Sequence, residues 1–266
     1  MQNLKIYFGV DDGASLLDDV KIAQWVEIID YIEKNSDSVY ILDYVHYLTI
    51  NGESIYSKII GNTTEKKYLL QLLGRHKKET LLDKEELSEV LESASYFKPC
   101  GAFGEMIDIQ LFYPQQYLLH KEDLEKVKIY YLKQKKDFSQ LEVELRTCFK
   151  GLYFNRFNWN PYTSDDISEI VTDLEILQNH AMEIYEKNGR QGGEALKELK
   201  GKFNCSGTES AGFSDLVDID GQDVSINYSP HIKLGRSDSN KRIYFAWGND
   251  KTKNKIVVYL IGGHCN

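Results

Sequence analysis

The residues most able to do chemistry lie in the last forty-two positions. From Ser225 to Asn266 seven Lys and Arg (Lys233, Arg236, Lys241, Arg242, Lys251, Lys253, Lys255) face two Asp, a local charge of +5 inside a chain of net charge −9. A cationic surface in an acidic chain attracts phosphate, and an RNA backbone is the commonest polyphosphate available to a cytoplasmic domain. Lys251, Lys253 and Lys255 fall in the polar run N-D-K-T-K-N-K and read as a solvated turn. The others sit at strand ends. Alternation places His231 and Lys233 on one face of a strand, Arg242 opens the next strand after a short turn, and His264 closes the last. The expectation is a concave face joining His231, Lys233, Arg242 and His264, with Arg236 and Lys241 at its edge. Tyr244 shares parity with Arg242, while Ile232, Leu234, Ile243 and Phe245 take the opposite side and face the helices.

These runs, S-P-H-I-K-L, then R-I-Y-F-A-W, then K-I-V-V-Y-L-I-G-G-H, resemble the carboxyl half of RelE/ParE-type toxins, including the HigB-like branch. The resemblance covers residues 148–266 and leaves 1–147 unmatched. It implies metal-independent, cofactor-free, ribosome-associated cleavage of messenger RNA. A ribose 2′-hydroxyl attacks the adjacent phosphate, a base removes its proton, cations stabilise the phosphorane, and an acid protonates the leaving oxygen. By position, Arg242 matches the family's phosphate-binding arginine, His264 its terminal acid or base, and His231 and Lys233 its central basic strand. These four are the catalytic set that the resemblance implies. Arg236, Lys241 and Tyr244 are read as substrate-binding, with Tyr244 stacking on a base or orienting the phosphate. The implied partners are RNA, the ribosome and an antitoxin or other regulatory protein. Some relatives inhibit gyrase by binding, so a catalytically silent binding protein is the alternative. A third reading takes Asp11-Asp12 and Asp18-Asp19, behind the first strand, as an Mg²⁺ site.

The elements that must position these residues follow from patterning. LKIYFGV is a strand closed at Asp11-Asp12-Gly13, and Ser15–Lys34 has apolar residues at helical steps. Ser38–Ile50 fits a strand or a buried helix. Residues 64–96 read as two helices, Lys98-Pro99-Cys100-Gly101 as a break, Glu105–Tyr113 as a strand, and about 120–147 as a charged helix. From Cys148 the order is β-α-α-β-β-β. A strand over 148–157 is followed by a helix from Ile167 to about Lys187, a helical piece over 192–203 and a loop at NCSGTESAG. Strands at 224–234, 242–248 and 255–263 complete it in a mainly antiparallel sheet. The fold class is therefore α+β, a helix-rich domain over 1–147 and a RelE-like domain over 148–266.

Composition sets the outer bounds. At 266 residues, 42% hydrophobic and 27% charged, the chain has material for two globular domains. No stretch suits a membrane span or a secretory leader, and four scattered cysteines form no zinc or disulfide pattern, which reads as cytoplasmic.

Overall fold

A computed structural model of the chain describes residues 5–10, 19–34, 38–42, 47, 49–50, 52–54, 56–57, 60–75, 77–79, 100–104, 117–118, 121–204, 207–209, 212–235 and 240–264. The chain separates into two compact units, residues 2–130 and 131–266. The second unit thus begins ahead of the expected residue 148.

In the first unit, strands β1 (Lys5–Val10), β2 (Ser38–Leu42), β5 (Lys77–Glu79), β6 (Cys100–Gly104) and β7 (Tyr117–Leu118) form one sheet in the order β5-β2-β1-β6-β7, and β3 (Thr49–Ile50) pairs with β4 (Glu53–Ser54). The pairs β1–β2 and β2–β5 are parallel. The helices Asp19–Lys34 and Thr64–Arg75 lie in the two crossovers that parallel strands require. Ile28, Ile29 and Ile32 are buried at helical spacing, which is why this segment holds as a helix. Cys100-Gly101, expected as a break, instead runs in β6 antiparallel to β1. The second helix expected before residue 96, the strand 105–113 and the carboxylates Asp11, Asp12 and Asp18 lie outside the described residues.

The charged helix expected over 120–147 is two helices, Asp123–Gln134 and Leu141–Cys148. The break is stabilised by Lys135, whose ammonium donates to the Ser139 carbonyl at 3.0 Å and to Glu144 at 2.7 Å. Leu141, Leu145 and Cys148 then bury one stripe of the second helix.

The main sheet of the second unit has the order β8-β14-β13-β12-β9, from β8 (Leu152–Phe157), β9 (Gly207–Glu209), β12 (Pro230–Lys233), β13 (Arg242–Ala246) and β14 (Ile256–Gly262). It is mostly antiparallel. The exception is β14, which pairs parallel with β8 across the whole unit. The helical segment from Ile167 to Lys187 contains a π-helical stretch at Leu177–Ala181, and Gly192–Phe203 forms the next helix. Ile170, Val171, Leu174 and Leu177 are buried, as are Ile232, Ile243, Phe245, Ile256, Val258 and Ile261. Strand parity, with the register shift between Tyr244 and Phe245 that returns Ile261 opposite Ile243, puts that second group on one side, which is the core face expected for Ile232, Ile243 and Phe245.

Two expectations fail here for a definite reason. The run 224–234 is not one strand: β11 (Gln222–Asn227) pairs with β10 (Ser214–Ile219) in a separate hairpin, and the chain re-enters the main sheet only at Pro230. Proline lacks an N–H and is suited to the first position of a strand. Ser229 makes the intervening turn, its N–H and hydroxyl both donating to Asn227 Oδ1. The expected loop 204–212 also contains β9, antiparallel to β12.

Candidate functional site

Strand registers set the candidate residues in two rows across the sheet. Thr208, His231, Tyr244 and Leu260 are consecutive cross-strand partners in one row, and Lys233, Arg242 and Gly262 in the next. Directly opposite side chains stand roughly 5 Å apart at Cβ, so Lys233 and Arg242 form a cationic pair immediately beside His231. Glycine at 262 makes room for the Leu260 side chain, which leans over it beside Arg242: a Cβ there would lie 2.9 Å from Leu260 Cδ1.

The half of this face beyond Tyr244 is closed. The β10–β11 hairpin lays Val217, Ile219, Val224 and Ile226 over Tyr244, Ala246, Val257 and Tyr259 in one apolar cluster. A β-bulge between Tyr244 and Phe245 shifts the β13–β14 register, so the inward alternation of β14 is interrupted and Tyr259 and Leu260 both reach that cluster. Tyr228 stacks on Tyr259 with ring centroids 3.7 Å apart. Polar clips reinforce the cover: Tyr259 donates to Asp215 at 2.5 Å, and Asp220 accepts from Tyr153 at 2.9 Å and from Lys253 at 2.8 Å. Arg156 also reaches the Tyr259 hydroxyl and lies over its ring.

His231 is 5% exposed. Its Nδ1 lies 3.1 Å from the Ser229 carbonyl oxygen and its Nε2 2.8 Å from Thr208 Oγ1. Burial pushes its pKa down, and the charges of Arg242, Lys233 and His264 add to that, while the Ser229 carbonyl opposes it. Register sets His231, Lys233 and Arg242 together on this face, and His264 follows Gly262 past the end of β14. Arg242 is buried, with its Nη1 donating to the Lys241 carbonyl at 2.8 Å. Tyr162 fixes the sheet end beneath it: its hydroxyl lies 2.8 Å from the Arg242 carbonyl and 3.0 Å from the Gly262 carbonyl and accepts the Arg242 N–H at 3.2 Å. Burial pushes the Tyr162 phenol far up, so it stays neutral and donates. His264 is exposed, and its N–H donates to Asn240 Oδ1 at 2.8 Å, tying the end of the last strand to the start of β13.

The residues read as substrate-binding are placed differently. Lys241 is engaged by Asp166, its ammonium 2.7 Å from both carboxylate oxygens. Tyr244 is cofacial with Arg242 as expected, but it is 1% exposed under the hairpin, with no open ring face for a base. Arg236 lies outside the described residues. Thr208, Tyr162 and Asn240 carry no functional signal in the sequence, and the three-residue strand that holds Thr208 is too short for any periodic pattern.

This α+β unit is thus defined by a half-covered sheet with a cationic, histidine-bearing end. Comparison with protein-family models, curated proteins and solved structures found no match to the chain. Among the described residues no cluster of three His, Cys, Asp or Glu is arranged to hold a metal ion, and no described helix is long and apolar enough to cross a membrane.

Proposed function

We propose that the carboxy-terminal unit is a toxin-like, RNA-targeting effector of RelE/ParE type, a metal-independent endoribonuclease that cuts messenger RNA, and that the amino-terminal unit regulates it. The observation that supports this is the placement of the Lys233–Arg242 pair beside His231 on one face of the sheet. In this reading Arg242 and Lys233 take the phosphorane oxygens, where a planar guanidinium binds two at once. His231, kept neutral by its surroundings, accepts the proton of the attacking 2′-hydroxyl. The exposed His264 returns one to the leaving 5′-oxygen.

Induction in bacteria of the wild type and of Arg242→Ala tests the proposal through growth and messenger-RNA integrity. Arrest with cut RNA that Arg242→Ala abolishes supports it. Intact RNA in both strains rejects it.

A second reading, a binding protein without catalysis, is favoured by the burial of Tyr244 and Arg242, which leaves little room for a base beside the phosphate. Growth arrest with intact messenger RNA is its signature.

A further inference from the structure

We propose that Thr208 is the substrate-facing end of a two-member proton relay with His231. The inference rests on the ribonuclease reading and adds a catalytic residue to it. His231 is buried, and Thr208, directly opposite it on the edge strand β9, is exposed. A ribose hydroxyl arriving from solvent on this side therefore meets Thr208 Oγ1 before the imidazole.

The hydrogen bonds fix the direction of the relay. The Ser229 carbonyl can only accept, so the His231 nitrogen beside it, Nδ1, carries the proton. In the neutral ring Nε2 is then an acceptor, and the Thr208 hydroxyl at 2.8 Å donates to it. Hydroxyl, base and an orienting group behind the base form the arrangement that activates an oxygen nucleophile. In the step itself the ribose O2′–H bond breaks and its proton passes to Thr208 Oγ1, while the Thr208 proton passes to His231 Nε2. O2′ forms a bond to the adjacent phosphorus, the bond from phosphorus to the 5′-oxygen breaks, and that oxygen takes a proton from His264. Threonine ends unchanged, His231 ends as imidazolium and His264 as neutral imidazole; His231 then loses a proton to solvent and His264 takes one up, which restores the starting state.

The charged and titratable groups around His231 are Lys233 on its own strand, Arg242 and Tyr244 on β13, and His264 beyond β14. The Lys233 and Arg242 cations oppose a charged imidazole, so proton transfer is favoured once substrate phosphate has offset them. The Thr208 hydroxyl is not needed to seat β9. That strand is held by its backbone ladder to β12, and Gly207 packs so closely on Leu196 that a Cβ would lie 2.7 Å from Leu196 Cδ2.

The test uses the full chain as wild type, Thr208→Val, Thr208→Ser and Arg242→Ala, with single-stranded RNA cleavage followed from about pH 5 to 9. Thr208→Val should lower kcat roughly 100-fold, the lower end of the range for general acid–base catalysis, with KM within about twofold. It should also erase the acidic limb of the rate profile. Thr208→Ser should restore both. Wild-type kcat and an unchanged acidic limb in Thr208→Val overturn the relay and leave the nuclease reading standing. Absence of cleavage in every protein removes the nuclease reading and the relay with it. The ¹⁵N resonance of His231 Nε2 serves as a control free of turnover: it should shift in Thr208→Val, and identical spectra mean that the hydrogen bond is not made, which also overturns the relay.

Discussion

The Lys241 ammonium lies 2.7 Å from both oxygens of Asp166 and joins the turn before β13 to the start of the helix at Ile167. Asp166 also accepts the Thr163 N–H and hydroxyl in a capping box. Burial on its own would raise this carboxyl. The bonds from Lys241 and Thr163 outweigh it and hold the pKa below the usual value of 3.8. Lys241→Ala should therefore lower unfolding free energy by about 1–2 kcal/mol, between the exposed and buried ion-pair cases. A carboxyl with a depressed folded pKa stabilises above its unfolded value and loses that contribution as pH falls through the folded one. The difference between wild type and Lys241→Ala should accordingly be full at pH 7 and shrink in acid below 3.8. Denaturant titrations at the two pH values check this, and a larger effect on RNA affinity than on stability would return Lys241 to the substrate-binding set.

The hairpin cover makes a contrast between two neighbouring faces. Ile226 is buried against the sheet, whereas Leu216 on the outer face of β10 is 63% exposed. Ile226→Ala should cost about 2–4 kcal/mol through lost burial and a cavity. Leu216→Ser should stay within about 0.5 kcal/mol, as surface changes do. Equal effects in urea unfolding would mean that the hairpin does not pack as a second layer.

Tyr162→Phe removes one oxygen that serves three backbone groups of Arg242 and Gly262. Leaving buried main-chain groups short of a partner should cost about 1–3 kcal/mol. The same change loosens the strand ends that carry Arg242 and His264, so weakened RNA binding should accompany the lower midpoint. Loss of stability with unaltered binding would separate Tyr162 from the site.

What was legible in the sequence divides along physical lines. Period-two alternation correctly placed Ile232, Ile243 and Phe245 opposite His231 and Arg242, because parity along a strand depends only on local geometry. What covers the second face depends on another segment folding over it, and there the reading of Tyr244 as open was overturned. A signal for that segment was present. Asp220-Gly221 stands between two alternating runs, a strong cue for a two-residue hairpin turn, and both residues have positive φ, 53° and 81°. Reading 224–234 as one strand hid it. The parallel pairing of β14 with β8 depends on packing over the whole unit and left no local trace.

His231 gives the last prediction. Its folded pKa is depressed below the usual 6.5, first by burial and then by Arg242, Lys233 and His264. Between the folded and unfolded values the unfolded chain binds more protons, so stability rises with pH there. The contribution is complete above 6.5 and falls away as pH drops through the folded value. Wild type should therefore lose more unfolding free energy than His231→Gln between pH 7.5 and 5, read by urea titration at both. Equal losses would mean that His231 titrates normally and is not held neutral. Bound RNA supplies a check on the same charges: phosphate between Lys233 and Arg242 offsets the repulsion that disfavours the imidazolium, so the His231 pKa should rise on binding. An NMR titration of the imidazole with and without a short RNA follows this, and a fall in pKa on binding would place the phosphate away from this pair.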